Sequence, residues 1–317
     1  MIESPVLITG GSGYLASRLL PQLAGVGEIR VLSRRAPRPS IAIRWIEGHA
    51  GDAVALQSAI RNARTIFHLA AQTSVAIARE NPQADYDANV TGLKRILDAI
   101  GRGGAPPILV FAGTVTQCGI PLTDTLDEHA PDQPITVYDT HKLEAERALE
   151  AAARSQIVRG VTLRLANVYG PGALSGAADR GVLNKMIRLA SEGRPLSVHG
   201  DGAELRDYTF VDDVAAAFVK AASHAGDISG RHFVVGSGER HTLAGAAALV
   251  ASQASSRSGH PIHVEHVPAP ASADPIDARS YVVNAGAFAD ATGWRPTVDL
   301  ETGIGRTLDW IAEGATQ

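Results

Sequence analysis

Through the first half of the chain, short apolar runs alternate with longer stretches whose apolar positions recur every three or four residues. The runs cover 6–9, 29–32, 44–46, 65–69, 108–111 and 161–164, and most are continuous in Val, Ile, Leu or Phe. Such runs read as strands buried on both faces. Between them, Leu15, Leu19 and Leu23, and then Val90, Leu93, Ile96, Leu97 and Ile100, mark the apolar stripes of helices. Strand–helix alternation of this kind predicts an α/β fold, a doubly wound parallel sheet covered by helices on both sides. After about residue 167 the rhythm breaks. Gly170-Pro171-Gly172-Ala173-Leu174-Ser175-Gly176 reads as a loop, followed by mixed shorter elements with helical patterns at 211–222 and 242–255. The expected organisation is a sheet domain over 1–167 and a smaller α/β substrate-binding region over 168–317, with some chain crossing back.

Composition narrows the class. The 317 residues are 45% hydrophobic and 20% charged, with a net charge of −4, ordinary for a chain that buries a sizeable core. That balance argues against nucleic acid or an anionic membrane as the main partner. A single cysteine, Cys118, excludes a disulfide framework and a cysteine-rich zinc module. No apolar run is long enough to span a bilayer and no signal-peptide pattern opens the chain, so a cytoplasmic location is expected.

Candidate chemistry begins after the first run, at Thr9-Gly10-Gly11-Ser12-Gly13-Tyr14-Leu15-Ala16. Glycines between a strand and a helix let the backbone approach a pyrophosphate, which the free N–H groups of the helix N-terminus then bind. The domain is therefore expected to be of Rossmann type and to bind a dinucleotide. NAD binders place an acidic residue after the second strand to hold the ribose 2′-hydroxyl. This chain has Ser33-Arg34-Arg35 there, with Arg38 nearby, so NADP(H) is favoured over NAD(H).

Tyr138-Asp139-Thr140-His141-Lys142 opens a strongly helical segment. Residues four apart share a helix face, and an ammonium beside a phenol favours the phenolate, making it a proton donor or acceptor at neutral pH. Thr114 adds a hydroxyl just past the run at 108–111, where the carboxyl ends of the strands converge.

With these motifs in place the chain resembles extended short-chain dehydrogenases/reductases of the nucleotide-sugar epimerase/dehydratase/ketoreductase group. The resemblance rests on Thr9–Ala16, Phe67-His68-Leu69-Ala70-Ala71, Asn81-Pro82, Asn89-Val90, and Tyr138 with Lys142. It continues through Arg164-Leu165-Ala166-Asn167-Val168-Tyr169-Gly170-Pro171, Arg206-Asp207-Tyr208-Thr209-Phe210-Val211-Asp212-Asp213-Val214 and Gly293-Trp294-Arg295-Pro296. It implies Tyr138 as acid/base, Lys142 on the nicotinamide ribose and Thr114 on the reacting sugar oxygen. It further implies cofactor contacts from Gly10, Gly13, Tyr14, Leu15, Ser33, Arg34, Arg35, His49, Leu69, Ala70 and Ala71. Contacts to a nucleotide-diphosphate sugar are implied for Thr73, Thr116, Gln117, Asn167 and Arg206. Homodimerisation through the helices near 84–100 and 138–153 is likewise an implication of the resemblance.

Departures from the family pattern sharpen the expectation. Val115 and Thr116 follow Thr114 where 4,6-dehydratases carry Asp and Glu, so a dehydratase is not expected. Gly48-His49 stands where Gly-Asp is common. The favoured activity is an NADPH-dependent 4-ketoreductase acting on a nucleotide-linked 4-keto-deoxyhexose. The alternative is an NAD-retaining 4-epimerase of the UDP-glucose type, and the remote alternative a non-catalytic NADP-binding sensor. His260, His263 and His266 do not converge on a strand, so no metal is expected. Cys118 is read as a small buried side chain, His141 as facing solvent or sugar, and Asp212 and Asp213 as helix N-caps.

Overall fold

The computed structural model describes residues 1–100, 104–121, 123–173, 181–268, 276 and 279–314. Seven strands form one parallel sheet: β1 (Val6–Thr9), β2 (Ile29–Ser33), β3 (Arg44–Glu47), β4 (Thr65–His68), β5 (Ile108–Thr114), β6 (Arg159–Leu165) and β7 (Arg231–Val235). Their spatial order is β3-β2-β1-β4-β5-β6-β7. Direction of winding reverses between β1 and β4, and ligands of such Rossmann-like sheets bind outside the carboxyl ends of the strands at that point.

Alternation within the strands covers both faces of the sheet. Val6 and Ile8 of β1 pack with Leu19 and Leu20 of α1 (Tyr14–Gln22). Val214 and Phe218, of a helix at Val211–Ser223, join the same face. Leu7 points the other way, into a core shared by α2 (Ala53–Ile60), α3 (Gly92–Ala99) and α4 (Val137–Arg154). The stripe from Val90 to Ile100 becomes regular α-helix only at Gly92, because Asp87–Thr91 forms a π turn. β7 pairs with β6, so the sheet is completed by chain from beyond residue 167.

A second core gathers Tyr169, Met186, Ile187, Val198, Phe210, Val250 and Ile304. It joins α5 (Val182–Ser191), α7 (Leu243–Ser258) and α8 (Leu300–Ala312), while the Val211–Ser223 helix, α6, which falls between α5 and α7 in sequence, packs in the first core. Four two-stranded pairings stitch this region: Asn167–Tyr169 with Tyr208–Phe210, Leu205–Arg206 with His241–Thr242, Leu196–His199 with Val264–Val267, and Thr125–Leu126 with Val282–Val283. Residues 174–176 of the expected loop lie outside the described residues.

Asp212 and Asp213 do not cap α6, whose N-cap is Phe210. Both lie in its first turn and reach elsewhere. Asp212 forms a two-pronged pair with Arg18 of α1, at 2.6 and 2.7 Å. Asp213 accepts from the Thr297 and Val298 amides and the Thr297 hydroxyl. Among the described residues no helix is long and apolar enough to cross a membrane, and no group of His, Cys, Asp or Glu is arranged to hold a metal.

Candidate active site at the carboxyl edge of the sheet

The loop after β1 is shaped by what cannot fit there. Gly10 has φ of +71°, and a Cβ on it would lie 2.7 Å from the backbone N and Cα of Ala70. A Cβ on Gly11 would lie 2.1 Å from Cγ1 of Val31. Gly13 is the N-cap of α1, with no side-chain cap and no acidic residue in the first turn. Bare amides and a positive dipole end with no carboxylate among them suit a diphosphate, so the residues present fit a dinucleotide. Leu69 and Ala70 are pinned beside this loop by hydrogen bonds from their amides to Thr9. Ala71 follows, half-buried, and Thr73 lies exposed beyond it. Leu15 packs against the core beneath. Tyr14 donates its hydroxyl to the Gly170 carbonyl at 2.8 Å, and burial raises its pKa. Its hydroxyl thus ties α1 to the segment after Tyr169.

At the end of β2, Ser33 is buried and donates to the Arg35 carbonyl at 2.7 Å. Arg34, Arg35 and Arg38 are exposed, and none has an ion-pair partner among the described residues. Trp45, on the edge strand β3, donates its indole N–H to the Ser33 carbonyl at 3.2 Å. His49 is exposed and its Nδ1 accepts from the Gly51 amide at 3.0 Å, which puts the proton of the neutral ring on Nε2.

The catalytic candidates meet where α4 packs on β5. Thr136 caps α4 by accepting from the Asp139 amide, starting the helix before Tyr138. Tyr138 is half-buried in the first turn, and Lys142 lies one turn on along the same face. Lys142 is buried. Its Nζ donates to the Ala112 carbonyl of β5 at 2.5 Å and sits 4.0 Å from the centre of the Phe111 ring. Burial pushes its pKa down to about 7, against the opposing pull of Glu146 and Asp85. His68, at the end of β4, stacks on Phe111, and its Nδ1 lies 2.7 Å from the Thr9 hydroxyl. Burial, with Lys142 adding to it, pushes the His68 pKa down to about 3 and keeps the ring neutral.

Thr114 ends β5. Its Oγ1 lies 2.9 Å from Oγ1 of Thr116 and accepts from the Thr116 amide at 3.3 Å. The Thr116 hydroxyl in turn donates to Oδ1 of Asp139, a fully buried carboxyl. Burial raises the Asp139 pKa against the pull of that hydrogen bond and of Arg279, 3.9 Å away. A phenol, a lysine poised near neutrality and a hydroxyl at one sheet edge can bind an alcohol oxygen and exchange its proton.

Other expected contacts are placed differently. Gln117 is fully buried, with its amide held between the Thr114 N–H and Glu146, so it faces the interior rather than a ligand. Glu146 pairs with buried Arg164 at 2.5 and 3.0 Å, and Arg164 also reaches Asp132 at 2.8 Å. Cys118 is buried 4.0 Å from Arg164, and burial raises its thiol pKa. His141 is half-buried, and its Nδ1 lies 2.7 Å from buried Asp85, which also accepts from Gln72 and Asn89. Asn167 donates to the Asp207 carbonyl and to the Tyr281 hydroxyl. Arg206 is half-buried and donates to the Leu205 and Arg279 carbonyls. Asp207 and Asp139, like Asp85 and Glu146, are buried carboxylates to which sequence reasoning gave no role. Asp207 accepts from Thr209, from Ser237 twice, and from the Gly238 and Val283 amides. Its one sequence signal is its place beside Arg206.

A model of the NAD dependent epimerase/dehydratase family matches residues 6–236, and the chain belongs to this family. It is 31% identical to the UDP-glucose 4-epimerase of Azospirillum brasilense over 96% of this chain and 91% of the relative. It is 26% identical to the dTDP-glucose 4,6-dehydratase of Mycobacterium tuberculosis over 97% and 93%. Among solved structures, the Thermus thermophilus UDP-glucose 4-epimerase complex with NAD superposes with a TM-score of 0.81 at 29% identity, over 96% of this chain and 97% of that one.

Proposed function

We propose that this chain is a nucleotide-sugar 4-epimerase that retains its nicotinamide dinucleotide through the cycle. The observation that carries the reading is Lys142, buried one turn after Tyr138 and hydrogen-bonded to β5 two residues before Thr114. A 4-epimerase relative that matches along nearly the whole chain supports it. The Gly10–Gly13 loop and the first turn of α1 would hold the diphosphate of the dinucleotide, and Lys142 its nicotinamide ribose. A dinucleotide held there would supply the acceptor and later the donor of hydride. Tyr138 takes the proton of the sugar C4 hydroxyl as that carbon loses hydride, and returns it when hydride comes back to the opposite face. Thr114 holds the reacting oxygen, and Asn167 and Arg206 flank the sugar diphosphate. Val115 and Thr116 lack the acidic groups that water loss requires, which favours epimerisation over dehydration.

A second reading, an NADPH-consuming 4-ketoreductase, is favoured by Arg34, Arg35 and Arg38, exposed where a ribose-binding carboxylate is absent. The test that separates the two follows both the sugar and the cofactor. The epimerase interconverts UDP-glucose and UDP-galactose with no net change in cofactor redox state. The reductase leaves both unchanged and oxidises NADPH in step with a 4-keto nucleotide sugar.

A further inference from the structure

Asp139 lies inside the Tyr138–Lys142 turn, yet the proposed epimerase chemistry does not use it. It is fully buried, and one carboxyl oxygen, Oδ1, accepts from the Thr116 hydroxyl. The other, Oδ2, is buried without a hydrogen bond and faces Arg279 at 3.9 Å. An ionised carboxylate only accepts, so the single hydrogen of Thr116 points to Asp139. The free lone pair of Thr116 Oγ1 then takes the hydrogen of Thr114, 2.9 Å away. Thr114 is left with one lone pair beyond the bond from the Thr116 amide. The hydroxyl that would meet the sugar is thus an acceptor, backed by an unbroken chain of hydrogen bonds to a buried carboxylate.

We infer that Asp139, reached through Thr114 and Thr116, is a second acceptor for the proton of the reacting sugar hydroxyl, beside Tyr138. The inference rests on the 4-epimerase reading. As the sugar C4 would give up hydride, its O–H bond would break and Thr114 Oγ1 would gain that proton. The original hydrogen of Thr114 passes to Thr116, and that of Thr116 to Asp139 Oδ1, which becomes neutral. Return of hydride to the keto carbon runs the same transfers backwards, so no proton is gained or lost. Burial raises the Asp139 pKa, which moves its carboxyl in the direction that accepting a proton needs.

The test measures epimerisation in Tyr138→Phe, Thr116→Val, the double variant, and Thr116→Ser in both backgrounds. Thr116→Val keeps shape and breaks the chain by removing the hydroxyl that donates to Asp139 Oδ1. It should cost the wild type less than about threefold, because Tyr138 carries the main route, but the Tyr138→Phe enzyme about tenfold or more. Thr116→Ser restores the hydroxyl and should return the residual rate, which a merely structural role of Thr116 would not tie to the Tyr138 background. Asp139→Asn should likewise lower residual turnover in Tyr138→Phe by about tenfold or more. Equal factors in the two backgrounds, or a Tyr138→Phe enzyme with no residual turnover, overturn the inference alone. A folded wild type that epimerises no nucleotide sugar overturns the functional reading and this inference with it.

Discussion

Gly10, in the loop after β1, and Asp207, in the segment leading to Tyr208–Phe210, are held in place by opposite means. Around Gly10 the constraint is steric and involves mainly backbone, since a Cβ there would strike Ala70 at 2.7 Å. Around Asp207 the constraint is polar, with one carboxylate gathering donors from Thr209, Ser237, Gly238 and Val283. A short glycine motif is enough to specify the first arrangement. The second exists only once strands distant in sequence have assembled. The contrast implies that the loop after β1 tolerates little change in shape, while the surroundings of Asp207 tolerate little change in charge and hydrogen bonding.

The largest expected effect leaves both sides intact and removes only the proposed acid/base. Tyr138→Phe should lower turnover by about 10²–10⁴ with the dissociation constant for the dinucleotide nearly unchanged, as read by steady-state kinetics and a binding titration. Next, Asp207→Ala strands several buried donors and should destabilise the fold by about 3–5 kcal/mol in urea unfolding, an effect that Asp207→Asn reduces only in part. Gly10→Ala tests the steric side. Left-handed backbone and overpacking together should cost about 2–4 kcal/mol and weaken dinucleotide binding before sugar binding. If Gly10→Ala is neutral for both, the steric half of the comparison fails. Arg34→Ala should weaken NADPH by about 1–3 kcal/mol and spare NADH, if the arginine binds a 2′-phosphate. Equal binding of the two cofactors by the wild type would remove the support for the reductase reading.

A pH-dependent effect comes from Lys142. Its folded pKa of about 7 lies below its free value of 10.5. Between those values the unfolded chain holds a proton that the folded chain lacks, so this group makes stability rise with pH across that window. Lys142→Met should therefore melt above the wild type below pH 7, with the gap closing as pH rises through the window, while turnover falls. A gap independent of pH would mean that Lys142 is not desolvated as described.

How much could be read in advance follows the same division. The glycine loop, the Tyr138–Lys142 pair and most of the sheet are local patterns, since strand and helix periods and turn residues are set by neighbours in sequence. β7 was not evident, because it begins with Arg231 and His232 and becomes a strand by pairing with β6. Gln117 was implied as a ligand contact by the family resemblance, but the tight turn there directs it inward to Glu146. His141 found Asp85, and Asp139 found Thr116, across elements whose approach no local pattern encodes. Polar partners of this kind are fixed by tertiary packing, which is why the candidate chemistry was more legible than the groups that orient it.

The central claim is that the site moves hydride out of and back into one sugar carbon without net oxidation. It is tested most directly by incubating the purified protein with a nucleotide hexose in deuterated water and following C4 configuration and isotope content by NMR. The account predicts conversion to the C4 epimer with hydrogen, not deuterium, retained at C4, no accumulation of reduced cofactor, and conversion slowed by about 10²–10⁴ in Tyr138→Phe. An unchanged sugar in the presence of folded, dinucleotide-bound protein, or conversion that requires stoichiometric NADPH, would contradict it.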